Sequence, residues 1–97
     1  MAKLYYGNGD CTIQGEGVEI RAIQIRFRGA IVITKTANDN FAIIQQGDGI
    51  MIFPIGEGFL SDLFTYIGEL KITSVIVADN NSERVKCTIK RVMDYSE

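Results

Sequence analysis

Glu69-Leu70-Lys71-Ile72-Thr73-Ser74-Val75-Ile76-Val77-Ala78 and Arg84-Val85-Lys86-Cys87-Thr88-Ile89-Lys90-Arg91-Val92-Met93 are two runs rich in Val, Ile and Thr. Between them stands Asp79-Asn80-Asn81-Ser82-Glu83, a cluster of turn formers. β-branched residues fit a pleated surface, and Asn, Asp and Ser favour tight turns. The pair therefore reads as an antiparallel hairpin. Leu70, Ile72, Ser74, Ile76 and Ala78 share one face of its first strand. Val85, Cys87, Ile89 and Met93 share a face of its second, interrupted by Arg91. Arg84, Lys86, Thr88 and Lys90 form the polar side.

Working back from this hairpin, glycine divides the chain into short pieces. Ten glycines include the pairs Gly7-Asn8-Gly9, Gly15-Glu16-Gly17, Gly47-Asp48-Gly49 and Gly56-Glu57-Gly58. Such pairs supply the positive φ that hairpin turns require. Lys3–Tyr6, Asp10–Gln14, Ala30–Thr34 and Phe41–Gln46 read as strands, with Ala30–Thr34 pairing back on the strand before it. Thr36–Asn40 reads as a polar loop. Val18–Arg28 alternates, but its apolar phase changes near Arg21-Ala22, the mark of a β-bulge. Ile50–Phe53 is wholly apolar and reads as a strand buried on both faces. Phe59, Leu60, Leu63, Phe64 and Ile67 have helical spacing and predict one short helix over 59–67, closed by Gly68. The expected fold is mostly β: a single domain over 1–97, a compact barrel or sandwich of about seven or eight short antiparallel strands, with one capping helix.

Composition narrows function. Hydrophobic residues are 46% of the 97, enough for one modest core, and the formal charge is −2. Near-neutrality argues against a dedicated binder of nucleic acid or anionic membrane. No apolar run reaches the roughly 20 residues of a membrane span. The start, Met1-Ala2-Lys3-Leu4, leads into strand-like sequence without the pattern of a signal peptide, so the expectation is synthesis in the cytoplasm without secretion by a signal peptide. The chain has no His and no Trp, which removes the commonest general base and the commonest zinc ligand. Cys11 and Cys87 read as buried thiols; a bridge between them would need an oxidising compartment.

No Gly-x-Gly pair extends to a dinucleotide or P-loop pattern. Gly56-Glu57-Gly58 precedes the expected helix, but Glu57 would repel an anion there. Asp39, Asp48, Asp79 and Asp94 lie in expected loops or near the terminus without metal-ligand spacing. Asn80-Asn81-Ser82 matches a glycosylation sequon and reads as a turn. No catalytic residue, metal site or cofactor is expected.

Two basic groups remain: Arg21, Arg26 and Arg28 on the long strand, and Arg84, Lys86, Lys90 and Arg91 on the last. Arg26, Arg28, Arg84, Lys86 and Lys90 are the candidate interaction face. Three readings fit such a face: a solvated surface that discourages edge aggregation, a site for an acidic protein, or a track for single-stranded nucleic acid. The last also needs exposed aromatic residues, and these strands offer only Phe27. A small-ligand or enzyme domain relying on carboxylates alone is a further alternative.

Leu4-Tyr5-Tyr6-Gly7-Asn8-Gly9, Ile50-Met51-Ile52-Phe53-Pro54-Ile55-Gly56-Glu57-Gly58 and Arg91-Val92-Met93-Asp94-Tyr95-Ser96 resemble stretches of small proteins from T4-like marine tailed phages of the cyanophage group. The resemblance covers most of the chain and brings no site residues. It implies a virion component, such as a head decoration, connector, tail or baseplate part. Protein partners, self-association and other virion proteins among them, would follow from it.

Overall fold

The computed structural model describes residues 1–36 and 38–92. Ten strands are formed: β1 (Ala2–Gly7), β2 (Asp10–Gln14), β3 (Ile20–Arg28), β4 (Ile31–Thr36), β5 (Phe41–Gln46), β6 (Gly49–Pro54), β7 (Asp62–Gly68), β8 (Lys71–Asp79), β9 (Arg84–Val85) and β10 (Cys87–Arg91). They make two five-stranded sheets, ordered β10-β1-β2-β7-β4 and β5-β6-β3-β8-β9. No strand pair among the described residues joins the two, so the fold is a sandwich and not a closed barrel. All pairs are antiparallel except β1 with β10, which run parallel from Ala2–Cys87 to Tyr6–Arg91.

The inner faces alternate as a half-buried strand should. Leu4 and Tyr6 face inward from β1, Cys11 and Ile13 from β2, and Ile23, Ile25 and Phe27 from β3. Ile50 and Ile52 on β6 lie beside the β3 residues on the same sheet, and the inward residues of both sheets form one core. The turns follow their glycines. In Asn8-Gly9 both residues have positive φ, 54° and 82°, which is a type I′ hairpin. In Gly47-Asp48 only Gly47 does, at 58°, as in a type II′ turn.

The expected helix over 59–67 does not form; its second half is β7, which pairs with both β2 and β4. The cause is a bulge. Cys11 stands opposite Phe64 and Thr12 opposite Asp62, so Leu63 is the additional residue. Leu63 and its neighbour Phe64 both enter the core, each 1% exposed. Two adjacent inward residues break the period of two and imitate helical spacing. Ile67, which the helix would have buried, is 62% exposed. Phe64-Thr65-Tyr66-Ile67 is also aromatic and β-branched, and one short helix between glycines has little stability of its own.

Other strands depart from expectation in pairing. β3 pairs with β6 and β8, whereas β4 crosses to the other sheet and pairs with β7. The crossover passes Gly29-Ala30 and lies against a second crossover at Gly68-Glu69, where the Glu69 amide donates to the Ala30 carbonyl at 3.1 Å. The bulge near Arg21 is present as a register shift between Ile20 and Ala22. The C-terminal hairpin is shorter than expected. Only Val77–Val85 and Ala78–Arg84 pair; beyond Lys86 the chain leaves for the other sheet and joins β1. Met93 and Asp94 lie outside the described residues.

Candidate interaction surface

The outer face of the β5-β6-β3-β8-β9 sheet carries a group of exposed apolar residues at its centre. Alternation on β3 turns Ala22, Gln24, Arg26 and Arg28 outward, since Ile23, Ile25 and Phe27 are buried. Register brings Met51 and Ile76 beside Gln24, and Ala78 beside Ala22. Ile44 is opposite Met51 on the edge strand β5, and Ala42 is opposite Phe53. Ile44, Met51 and Ile76 are 50%, 46% and 43% exposed. A shallow recess of about 190 Å³ runs between Met51, Phe53, Ile76 and Ala78. A second, of about 260 Å³, lies beside it between Gln24, Ile44, Gln46 and Met51. A sheet centre this apolar is an exposed hydrophobic patch, not a scatter of single residues.

Two sequence expectations are corrected here. Ile50–Phe53 is not buried on both faces: Ile50 and Ile52 point inward and Met51 outward. Ile76 does not share the inward face of Ile72. A register shift between Arg26 and Phe27 places Arg26 opposite Ser74 and Phe27 opposite Ile72, which reverses the phase of β8. Val77 is inward instead, and fully buried.

The five basic candidates do not form one stripe. Arg26 and Arg28 lie on the outer face at the end nearest the Gly47-Asp48 turn, where Arg26 Nη1 approaches Asp48 Oδ1 at 3.4 Å. Lys71 sits opposite Arg28 and completes that basic end; the sequence reading did not single it out. Arg84 borders the same face at its opposite edge, beside Ala78. Lys86 is in the link between the sheets. Lys90 is opposite Tyr5 on the outer face of the other sheet.

Arg21 leaves the basic group altogether. Its Nη1 donates to the carbonyls of Gly56 and Gly58 at 3.0 and 2.9 Å, and its guanidinium lies 5.8 Å from the centre of the Phe41 ring. The bulge aims it there, and it ties down the 55–58 loop. No helix follows Gly58, so the anion-holding arrangement does not arise.

The remaining expectations concern the thiols and carboxylates. Cys11 and Cys87 are unbridged. Cys87 is opposite Ala2 and Cys11 opposite Tyr6, on opposite sides of β1, far beyond disulfide reach. Burial pushes the Cys11 thiol up to about 12, with Asp10 adding to the rise. Burial also raises Cys87, partly offset by a backbone hydrogen bond to Leu4. Among the described residues no three of His, Cys, Asp or Glu gather as a metal would need, and no polar or charged residue is buried. Asp10 and Asp62 share a recess with Lys35 on the far sheet. Asn80-Asn81-Ser82 is a turn held by Asp79 Oδ1, which accepts from the Asn81 and Glu83 amides at 2.9 Å each.

No family model matches the chain, and none of the curated proteins does. Among solved structures it is similar to a cohesin module from a Clostridium perfringens ATCC13124 family 33 glycoside hydrolase. The TM-score is 0.50 at 12% identity, over 93% of this chain and 91% of that one. It is also similar to a chain of the CaDoc0917–CaCohA2 complex determined at pH 5.5, with a TM-score of 0.47 at 16% identity over 95% of each chain. At such identities the first likeness concerns architecture alone: the described residues form a ten-stranded β-sandwich whose fold is similar to that of a cohesin module.

Proposed function

We propose that this chain is a non-catalytic protein-interaction module, and that it docks a protein partner on the outer face of the β5-β6-β3-β8-β9 sheet. The observation that carries the proposal is the exposed apolar centre of Ile44, Met51 and Ile76 on that face. It is rimmed by Arg26, Arg28 and Lys71 at one end and Arg84 at the other. Apolar centres with polar rims are the anatomy of protein interfaces, and cations at the rim favour a partner with acidic residues there. The fold likeness to a cohesin module supports the same reading. A virion part, as the phage resemblance implies, is one setting for such a module.

Ile76→Asp tests this, with Thr88→Asp on the other sheet as control. Ile76 points outward from an inner strand, so the change costs the fold only about 1 kcal/mol. A partner captured by the wild type should bind at least about 10-fold more weakly to Ile76→Asp and normally to Thr88→Asp. Arg28→Glu should weaken binding and flatten its salt dependence. Loss through Thr88→Asp alone would refute the assigned face. Salt-sensitive binding of single-stranded oligonucleotides, abolished by Arg28→Glu, would point to the nucleic-acid alternative.

A further inference from the structure

We propose that the chain forms a twofold-symmetric dimer in which the free edge of β5 pairs with the same edge of a second copy. The β5-β6-β3-β8-β9 sheet would then continue across the axis. The inference stands apart from the docking reading.

The sheets end on β10, β4, β5 and β9. Unpaired edges invite pairing, and proteins commonly guard them with charge, irregularity or brevity. Three of these four are so guarded. β4 carries Lys35 and a register break between Ile33 and Lys35. β9 is two residues long and includes Arg84. β10 carries Lys90 and Arg91. β5 is Phe41-Ala42-Ile43-Ile44-Gln45-Gln46, without a charge, proline or glycine. It pairs with β6 from Phe41–Pro54 to Gln46–Gly49 without a register shift. A regular, uncharged strand is the edge that can meet its own copy without repulsion.

The hydrogen-bond pattern fixes a register. In a two-residue hairpin the closing pair, Gln46–Gly49, exchanges both of its bonds. Alternation then turns the main-chain groups of Ile43 and Gln45 away from β6, toward the free edge. The Phe41 amide is already donated to the Asn38 carbonyl at 3.1 Å. Setting Ile43 opposite Gln45 of the second copy satisfies every outward group of both residues. The axis then passes beside Ile44, which meets its own copy at a close, non-hydrogen-bonded site. Asp48 faces Asn40 of the second copy, so no like charges are opposed. The two apolar outer patches become continuous across the seam.

One short edge buries less than the roughly 1,200 Å² of a standard interface, so the dimer is weak, with a Kd on the order of 10–100 µM. Sedimentation velocity across a concentration series should show reversible dimerisation of the wild type. Gln45→Pro removes an outward amide and no bond to β6, so it should give a folded monomer with unchanged circular dichroism. Ile76→Asp should leave the dimer intact, whereas Gln45→Pro should leave partner docking intact, so the two proposals fail separately. A second variant does not depend on weak association. Ile44→Cys in a Cys87→Ser background should form an intermolecular disulfide on mild oxidation, because a non-hydrogen-bonded antiparallel pair brings Cα atoms to about 4.5 Å. Ile76→Cys in the same background should not. A wild type still monomeric at about 1 mM, a dimer indifferent to Gln45→Pro, or no Ile44→Cys cross-link would each overturn the proposal.

Discussion

Replacing Gly68 by alanine tests the corner where two of the crossovers between the sheets, at Gly29-Ala30 and Gly68-Glu69, meet. Gly68 has φ +106°, a conformation that side chains rarely adopt. An added Cβ would overlap the Ala30 carbonyl oxygen and stand 3.1 Å from Ile31 Cα. Gly29, with φ +108°, is its counterpart: a Cβ there would overlap the Glu69 carbonyl. The backbone conformation alone costs alanine roughly 1–3 kcal/mol. Relieving the overlap must part the two crossovers and weaken the Glu69–Ala30 hydrogen bond, worth about 1 kcal/mol more. With some loss of packing, the total is roughly 4 kcal/mol, or a fall in Tm of about 15–30 °C for a domain of this size. Gly17 supplies the control. Its φ is +92° and nothing lies within 4 Å of an added Cβ, so Gly17→Ala measures conformational cost alone. Thermal and urea unfolding of both variants give the difference. Because Gly29 and Gly68 press on one corner, Gly29→Ala with Gly68→Ala should cost clearly less than the sum of the two. A Gly68→Ala cost no greater than that of Gly17→Ala, or strict additivity of the corner pair, would refute the shared corner.

Arg21→Ala should destabilise by about 2 kcal/mol in urea unfolding, since two charge-assisted bonds to carbonyls are lost with the stacking on Phe41. It should also increase amide exchange in the 55–58 loop without changing partner binding. Cys11 should react with a thiol reagent only on global unfolding, well after Cys87. Its thiol, raised in the fold from 9.0 to about 12, holds its proton more tightly folded than unfolded. The resulting stability is fully present below pH 9 and is lost as pH rises from there toward about 12, a decline that Cys11→Ala should lessen in alkaline unfolding.

Much of this fold was legible in local patterns. The alternation of Ile23, Ile25 and Phe27 and the phase change beside Arg21 read directly onto β3 and its bulge. Both two-residue hairpins followed from their glycines. What misled was bulging combined with outward apolar residues. Leu63-Phe64 looked helical because a bulge sends both inward. Met51 and Ile76 looked like core because hydrophobicity alone does not say which face a strand buries. That ambiguity also hid the candidate site. Its cations Arg26, Arg28 and Arg84 could be named from sequence, but the apolar centre between them could only be seen once register was known. Long-range pairing likewise has no local signature, so the turn of the last strand away from β8 toward β1 was not foreseen.

That last pairing has a mechanical consequence. β1 and β10 run side by side in the same direction from Ala2–Cys87 to Tyr6–Arg91. A pulling force applied at the start of β1 and the end of β10 acts along both strands in opposite senses. Their hydrogen bonds are then loaded together in shear and must fail as a group, whereas an antiparallel hairpin pulled from its open end unzips one bond at a time. Pulled between these two points, the fold therefore resists through its parallel β1–β10 pair, whose bonds must break together.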